Sequence, residues 1–164
     1  MNEIDVSALF PLQASLDKEI HELHHENYES TSHKRILALL VELGEFANET
    51  RCFKFWSLKG PSPKEVILDE WADALHFFLS LGVYLGVHEM KSAFHPRYDN
   101  LVDQLELVYR EVSSLTVDLN VSSYRKAFTD FLNLLPLLGY SEIDAIDAYK
   151  KKLAVNYKRQ ESHY

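Results

Sequence analysis

The chain has 164 residues and a formal net charge of −8 at pH 7, so it lacks the basic surface that binding to long nucleic acid requires. Hydrophobic residues make up 46% of the sequence, which is enough to build a folded core. Because a chain of this length is too short for two comfortable domains, we expect one domain over residues 1–164.

The sequence also bears on the compartment in which the protein works. Its single cysteine, Cys52, cannot form an internal disulfide, which fits a reducing cytoplasm. The first ten residues, MNEIDVSALF, lack the basic and apolar regions of a signal peptide. The longest apolar run, over residues 74–87, is too short to span a bilayer. We therefore expect a cytoplasmic protein that does not contact a membrane.

Apolar residues recur every three or four positions along nearly the whole chain, which indicates helices. Glycine and proline, which end helices, occur only five times each. Six helices are predicted. The first covers residues 8–29, and the second begins at Thr31 or Ser32 and has no sharp end within 51–59. The other four cover residues 62–86, 100–118, 122–138 and 141 to the tail.

Local signals at the helix ends support this division. Ser62, followed by Pro63, is typical of a capping box with proline at the first helical position. Ser141 and Asp144 have the spacing of a second cap, and Pro136 is expected to kink or end the fifth helix. Helices joined by short loops predict an all-α fold, a helical bundle of about six helices.

Two acidic pairs lie on neighbouring predicted helices. Glu42 and Glu45 are three residues apart on the second helix, as are Glu70 and Asp73 on the third, so each pair shares a helix face. If the helices pack antiparallel, the four carboxylates meet and repel one another unless a cation neutralises them. All-oxygen ligands favour Mg²⁺ or Mn²⁺ over zinc. The alternative is a solvated acidic surface, but apolar runs flank both pairs.

These residues are part of longer segments that are similar to a known family. The segment ELGEFANETRCFKFWS, residues 42–57, resembles the dimeric dUTPases of the all-α, MazG-like nucleotide pyrophosphohydrolase superfamily. The segment ADALHF, residues 72–77, resembles the same family. So does the tail, in which Lys152, Asn156, Arg159 and Gln160 are followed by Tyr164.

The resemblance implies an activity and a set of roles. Members hydrolyse dUTP to dUMP and pyrophosphate, generally also accept dUDP, and act as homodimers. The positions matching Glu42, Glu45, Glu70 and Asp73 bind Mg²⁺, and Glu45 is our choice for the carboxylate that activates water. Substrate contacts are implied for the base and sugar at Gln13, Trp56, His76, Phe77 and Asn156, for the phosphates at Lys152 and Arg159, and for a closing tail at Tyr164.

Each implied substrate contact has a structural alternative. Gln13 is also compatible with a solvated helix surface, Trp56 and Phe77 with an ordinary core, and His76 with a buried, hydrogen-bonded histidine. The basic residues of segment 150–159 could instead offset the dipole of the last helix. The tail also departs from the family pattern, because no glycine and following lysine come after Arg159.

Three other functions remain open. A related pyrophosphohydrolase acting on dCTP, a purine triphosphate or a damaged nucleotide would have the same metal site. A non-catalytic helical interaction module would carry the acidic cluster without turnover. His21 and His25 have the spacing of the zinc-protease motif H-E-x-x-H, but no strand-built cleft for a peptide is predicted.

The sequence does not decide between attack at the α- and the β-phosphorus.

Overall fold

The computed structural model describes residues 2–163. Within these residues the all-α prediction is confirmed, although the chain forms seven helices and two short strands rather than six helices alone. Their bounds are β1 Glu3–Asp5, α1 Leu9–His24, α2 Tyr28–Thr50, α3 Lys64–Leu85, β2 Lys91–Ala93, α4 Leu101–Ser114, α5 Val121–Leu132, α6 Leu134–Leu138 and α7 Glu142–Glu161. No described helix has both the length and the apolar character needed to cross a membrane.

The junction between α1 and α2 differs from the prediction. His25 adopts a left-handed conformation with φ 56°, and its backbone N–H donates to the carbonyl of His21, which ends α1 at His24. Asn27 then caps α2 in a reciprocal capping box with Ser30. The predicted first helix is therefore too long, and the predicted start of the second at Thr31 or Ser32 is a few residues late.

The predicted capping box at Ser62 is wrong, whereas the one at Ser141 is confirmed. Pro63 is the N-cap of α3 and makes no side-chain cap. The Ser62 hydroxyl donates instead to the carboxylate of Glu49, and its backbone N–H donates to the Glu49 carbonyl at 3.0 Å. These bonds tie the connection back onto α2. At α7, the Ser141 hydroxyl accepts from the backbone N–H of Asp144 at 3.2 Å, and Asp144 accepts from the Ser141 N–H in return.

The predicted fifth helix is divided at Asn133. This buried side chain donates to the Thr129 carbonyl at 2.9 Å and accepts from the backbone N–H of His95 at 2.6 Å. Pro136 lies near the start of α6, where its missing N–H leaves no helical hydrogen bond unmade. The interruption therefore comes from the asparagine bonds to a neighbouring loop and not from the proline.

The two strands pair antiparallel, with Ile4 opposite Ser92. Each has three residues, too few for an alternating pattern to be recognised in the sequence. The backbone N–H of Asp5 also donates to the Glu142 carboxylate at 2.8 Å, which joins the beginning of the chain to the start of α7.

Helix α3 lies at the centre of the bundle and contacts α1, α2, α5 and α7. Helices α2 and α3 are antiparallel. Glu49, near the end of α2, bonds to Ser62 just before α3, whereas Arg35, in the first half of α2, bonds to Ser80 near the end of α3. On another side of α3, Trp71 stacks on Phe131 with ring centroids 4.8 Å apart. This packing fixes the α3 face that carries Glu70 and Asp73 against α2.

Gly82 lets α1 and α5 approach the last turn of α3 closely. A methyl group at this position would collide with the ring of Phe10 and the hydroxyl of Tyr124, which donates a buried hydrogen bond to the Phe78 carbonyl. We expect Gly82→Ala to lower the free energy of unfolding by about 1–3 kcal/mol, the usual cost of overpacking a core. Urea denaturation followed by circular dichroism measures the change.

Gly60→Ala is the matched control, because no heavy atom lies within 4 Å of an added methyl group there. Equal stabilities for the two variants would show that α3 does not depend on this close approach.

Candidate active site

The four predicted carboxylates meet between α2 and α3. Oxygens of Glu42, Glu45 and Glu70 all lie within 4.8 Å of one another. A second group with the same spacing contains Glu70, Asp73 and Asp69, a neighbour that the sequence analysis did not select. Glu70 belongs to both groups, so the acidic residues form one continuous cluster.

The cluster is only partly exposed, and its carboxyl groups resist ionisation. Burial, then the nearby Glu45 carboxyl and the charge of Asp73, raise the pKa of Glu42 to about 8. Burial, followed by the charge of Asp73, raises the pKa of Glu70 to about 7. Burial also raises the pKa of Asp73, although Lys152 opposes the shift. Without a bound cation, protons therefore neutralise part of the cluster near neutral pH.

Two oxygens of the cluster have unmet bonding capacity. Oε2 of Glu42 and Oε2 of Glu70 are buried, and neither has a hydrogen-bond partner. Leaving such oxygens unpaired is costly, and a hard divalent cation would bind both. The donor set, carboxylate oxygens without sulfur or imidazole, fits that kind of ion. Within residues 2–163 the groups of side chains that could hold a metal ion are these acidic ones, and neither group includes His21 or His25.

Lys152 on α7 supplies a positive charge at the edge of the cluster. Its Nζ lies 2.9 Å from Oδ2 of Asp69 and 3.2 Å from Oδ1 of Asp73, and the residue is 5% exposed. Burial alone would lower its pKa, but the hydrogen bonds and charges of Asp69 and Asp73 raise it, so the amine stays charged. The structure thus places Lys152 against carboxylates, and it does not line the cleft described next.

A cleft of ≈ 510 Å³ extends from the acidic cluster along α1, α2, α3 and α7. Glu42 and Asp73 line one end of it. Of the other residues predicted to contact substrate, the walls include Gln13, His76, Phe77, Asn156 and Arg159.

Gln13 and His76 are joined by a buried hydrogen bond. The Gln13 Oε1 lies 2.5 Å from Nδ1 of His76 and accepts from the Tyr149 hydroxyl at 3.0 Å. Gln13 is therefore not a solvated helix residue. Burial lowers the pKa of His76 to about 3, against the opposing effect of the Tyr149 backbone carbonyl, so the imidazole is neutral. Its Nε2 is buried without a hydrogen-bond partner.

Besides Lys152, a second predicted substrate residue, Trp56, is not placed at the cleft. Trp56 lies in the connection between α2 and α3, is 64% exposed and contacts the rings of Phe53 and Phe55. It is neither a core residue nor part of the cleft wall. Tyr164 lies outside the described residues.

The structure also shows polar residues at the cleft that the sequence analysis missed. Asp17, Arg35 and Ser80 are buried, line the cleft and bond to one another. Their types are ordinary on solvated helix faces, so only the helical spacing of Asp17 with Gln13, four residues before it, could have pointed to the network.

Comparison with known proteins identifies a family. A sequence model of the dUTPase family matches residues 5–164, which includes the acidic cluster, the cleft and the tail. No match was found among curated proteins. Enzymes of this family generally use a divalent metal, and the acidic groups between α2 and α3 are suited to hold one. The chain therefore belongs to the dimeric all-α dUTPase family and is a dUTP diphosphatase.

Proposed function

We propose that this enzyme hydrolyses dUTP to dUMP and pyrophosphate in a Mg²⁺-dependent reaction, and that it also converts dUDP to dUMP and phosphate. The observation that carries the proposal is the acidic cluster with two unpaired buried oxygens at one end of a nucleotide-sized cleft. The single cysteine and acidic charge are compatible with work in the cytoplasm on a small nucleotide. One domain over residues 1–164 carries the activity.

Glu42, Glu45, Glu70 and Asp73 are the proposed ligands of Mg²⁺, for which Mn²⁺ is a possible substitute. When bound, the ion would neutralise phosphate charge and polarise the phosphorus that is attacked. Ligation would also satisfy the unpaired oxygens of Glu42 and Glu70.

Glu45 is the proposed base for the attacking water. Its carboxylate lies beside those of Glu42 and Glu70, but the residue is exposed whereas its two neighbours are half-buried. A carboxylate at the solvent edge of the cluster has access to water and to the place where the phosphates would bind. It can accept a hydrogen bond from that water and remove its proton.

Substrate contacts are proposed for the residues that line the cleft. Gln13, His76 and Phe77 are proposed to hold the base, Asn156 the sugar or base, and Arg159 the phosphates. Lys152 is proposed to add positive charge at the phosphate end, beside Asp73. Trp56 is proposed to line the slot for the base, and Tyr164 is proposed to close over the substrate. For Trp56 this requires a movement of the connection between α2 and α3, or binding at the cleft of a partner chain.

We also propose a homodimer. Leu37 and Val41 are one turn apart on α2 and are 63% and 52% exposed, and Phe55 and Leu58 of the following connection are exposed too. Exposed apolar side chains one turn apart on a helix are typical of protein contacts. A second copy of the chain is the occupant that the family resemblance implies.

Glu45→Gln is expected to lower kcat for dUTP by about 10²–10⁴-fold, the usual contribution of a general base, while the variant remains folded. Pyrophosphate release is measured with dUTP, dTTP, dCTP, UTP and dATP, with and without Mg²⁺. Glu106→Gln, an exposed position on α4, is the control.

The outcomes separate the parts of the proposal. Unchanged turnover by Glu45→Gln contradicts its role as the base. Preference of the wild-type enzyme for another nucleotide contradicts the uracil pocket but not the metal site. No activity on any nucleotide favours a non-catalytic helical module.

Mg²⁺ affinity is expected to rise between about pH 6 and pH 8.5. The pKa values of Glu42 and Glu70 in the metal-free protein are about 8 and about 7, and the ion binds only the deprotonated forms. Binding at pH 7 should therefore release protons and raise the melting temperature. Titration calorimetry in buffers of different ionisation enthalpy counts the protons, and an affinity independent of pH would contradict the proposed ligands.

Leu37→Asp is expected to shift the protein from dimer to monomer, because it puts a charge into the proposed interface. Light scattering over a range of concentrations measures the mass. Ile143→Asp is the matched control, since Ile143 is 68% exposed on α7. A wild-type monomer at all concentrations would overturn the dimer, and equal effects of the two substitutions would overturn this interface.

A further inference from the structure

Asp17 is a buried acid that belongs to neither the acidic cluster nor the proposed substrate contacts. It is 3% exposed, and its neighbours on three helices are hydrogen-bond donors. Its Oδ1 accepts from the Gln13 amide at 2.9 Å, whereas its Oδ2 accepts from the hydroxyls of Tyr28 at 2.8 Å and Ser80 at 2.6 Å. Arg35 adds an ion pair at 3.9 Å. The carboxylate is therefore held in one position.

This fixed carboxylate decides which way the Gln13 amide faces. Rotating the amide by half a turn would bring Oε1 against Oδ1 of Asp17, and two acceptors without a proton repel. The amide nitrogen therefore faces Asp17. Oε1 is left to accept from the Tyr149 hydroxyl and from Nδ1 of His76.

The orientation of Gln13 then determines the tautomer of His76. Since Oε1 can only accept, Nδ1 must carry the imidazole hydrogen, and in the neutral ring Nε2 is an acceptor. Nε2 is buried without a partner in a residue that lines the cleft. Gln13 Nε2 has a second hydrogen besides the one that Asp17 takes. Because Gln13 and His76 both line the cleft, this acceptor and this donor are the groups that we assign to a ligand.

We propose that Asp17 is a positioning residue for base selection, which fixes the Gln13 amide and through it the acceptor at His76 Nε2. The inference rests on the proposed function, in which these two residues contact the base. A uracil imide edge has an N–H beside a carbonyl oxygen and complements an acceptor beside a donor. Cytosine has a bare acceptor nitrogen at the ring position where uracil has this N–H. It would face the acceptor at His76 Nε2, and both buried atoms would remain unpaired.

The test compares two variants by the ratio of kcat/KM for dUTP to kcat/KM for dCTP. Asp17→Ala removes the acceptor that faces Gln13, and we expect the ratio to fall about tenfold or more, mainly through KM for dUTP. Tyr28→Phe, the control, removes a donor to the other oxygen of Asp17 and leaves the oxygen that faces Gln13 in place. It should keep the ratio within about threefold of the wild type.

A second measurement needs no variant of Asp17. Nitrogen-15 NMR of the wild-type protein, with the signal assigned by its loss in His76→Gln, should show hydrogen on Nδ1 and a bare Nε2. Hydrogen on Nε2 would overturn the proposal, and the spectrum decides the point even if Asp17→Ala fails to fold.

The remaining outcomes separate this inference from the proposed function. An unchanged ratio in Asp17→Ala, or an equal loss in Tyr28→Phe, would overturn the positioning role while wild-type dUTP hydrolysis still supports the enzyme. A wild-type protein without preference for dUTP over dCTP would overturn both the uracil pocket and the selection assigned to Asp17.

Discussion

The antiparallel packing of α2 on α3 brings together the carboxylates of the acidic cluster. These groups repel one another unless a positive charge offsets them. The apolar residues of α3 hold the helices in place despite this repulsion, because they are buried on nearly every side of the helix. The remaining charge has to be offset by protons, by the Lys152 amine or by a bound cation. A site that stays incompletely neutralised on its own is well suited to bind a cation and a polyphosphate together.

The cleft joins two polar systems of different character. At one end the charged cluster of Glu42 and Asp73 suits phosphate chemistry, in which neutralisation of charge is the main requirement. Farther along, Gln13, His76 and Tyr149 form a hydrogen-bonded group whose imidazole is neutral. Neutral donors and acceptors with fixed directions suit recognition of a base edge. In the proposed function, the phosphates of the nucleotide would lie at the charged end of the cleft and the base at the neutral end.

The sequence predicts the helices and the acidic cluster because both depend on short, repeated spacings. The intervals from Glu42 to Glu45 and from Glu70 to Asp73 are single helical turns, and the helical period is visible along the whole chain. Resemblance then extends the prediction to an enzyme family, which the match over residues 5–164 confirms.

Features that depend on long-range contacts could not be predicted in this way. Ser62 has a capping sequence, yet its hydroxyl bonds to Glu49 across a turn of the chain. In the sequence, Asp17 cannot be told from an aspartate on a solvated helix face. Its burial becomes visible only through its contacts with Arg35 and Ser80. Trp56 belongs to the segment 42–57, which resembles the family. The position of its exposed ring depends on how the connection between α2 and α3 folds.

The position of α7 after α2 and α3 in the sequence has a consequence for the order of folding. The acidic half of the site lies on α2 and α3, which are neighbours in the chain and close a small loop when they pair. Tyr149 and Gln13 are 136 residues apart, and Lys152 and Asp69 are 83 apart, so docking of α7 has to close much larger loops. During synthesis the carboxylates can gather before the ribosome has made the helix that supplies their lysine. If α2 and α3 pair before α7 docks, protons or metal ions from solution would have to offset the charge that Lys152 offsets in the folded protein.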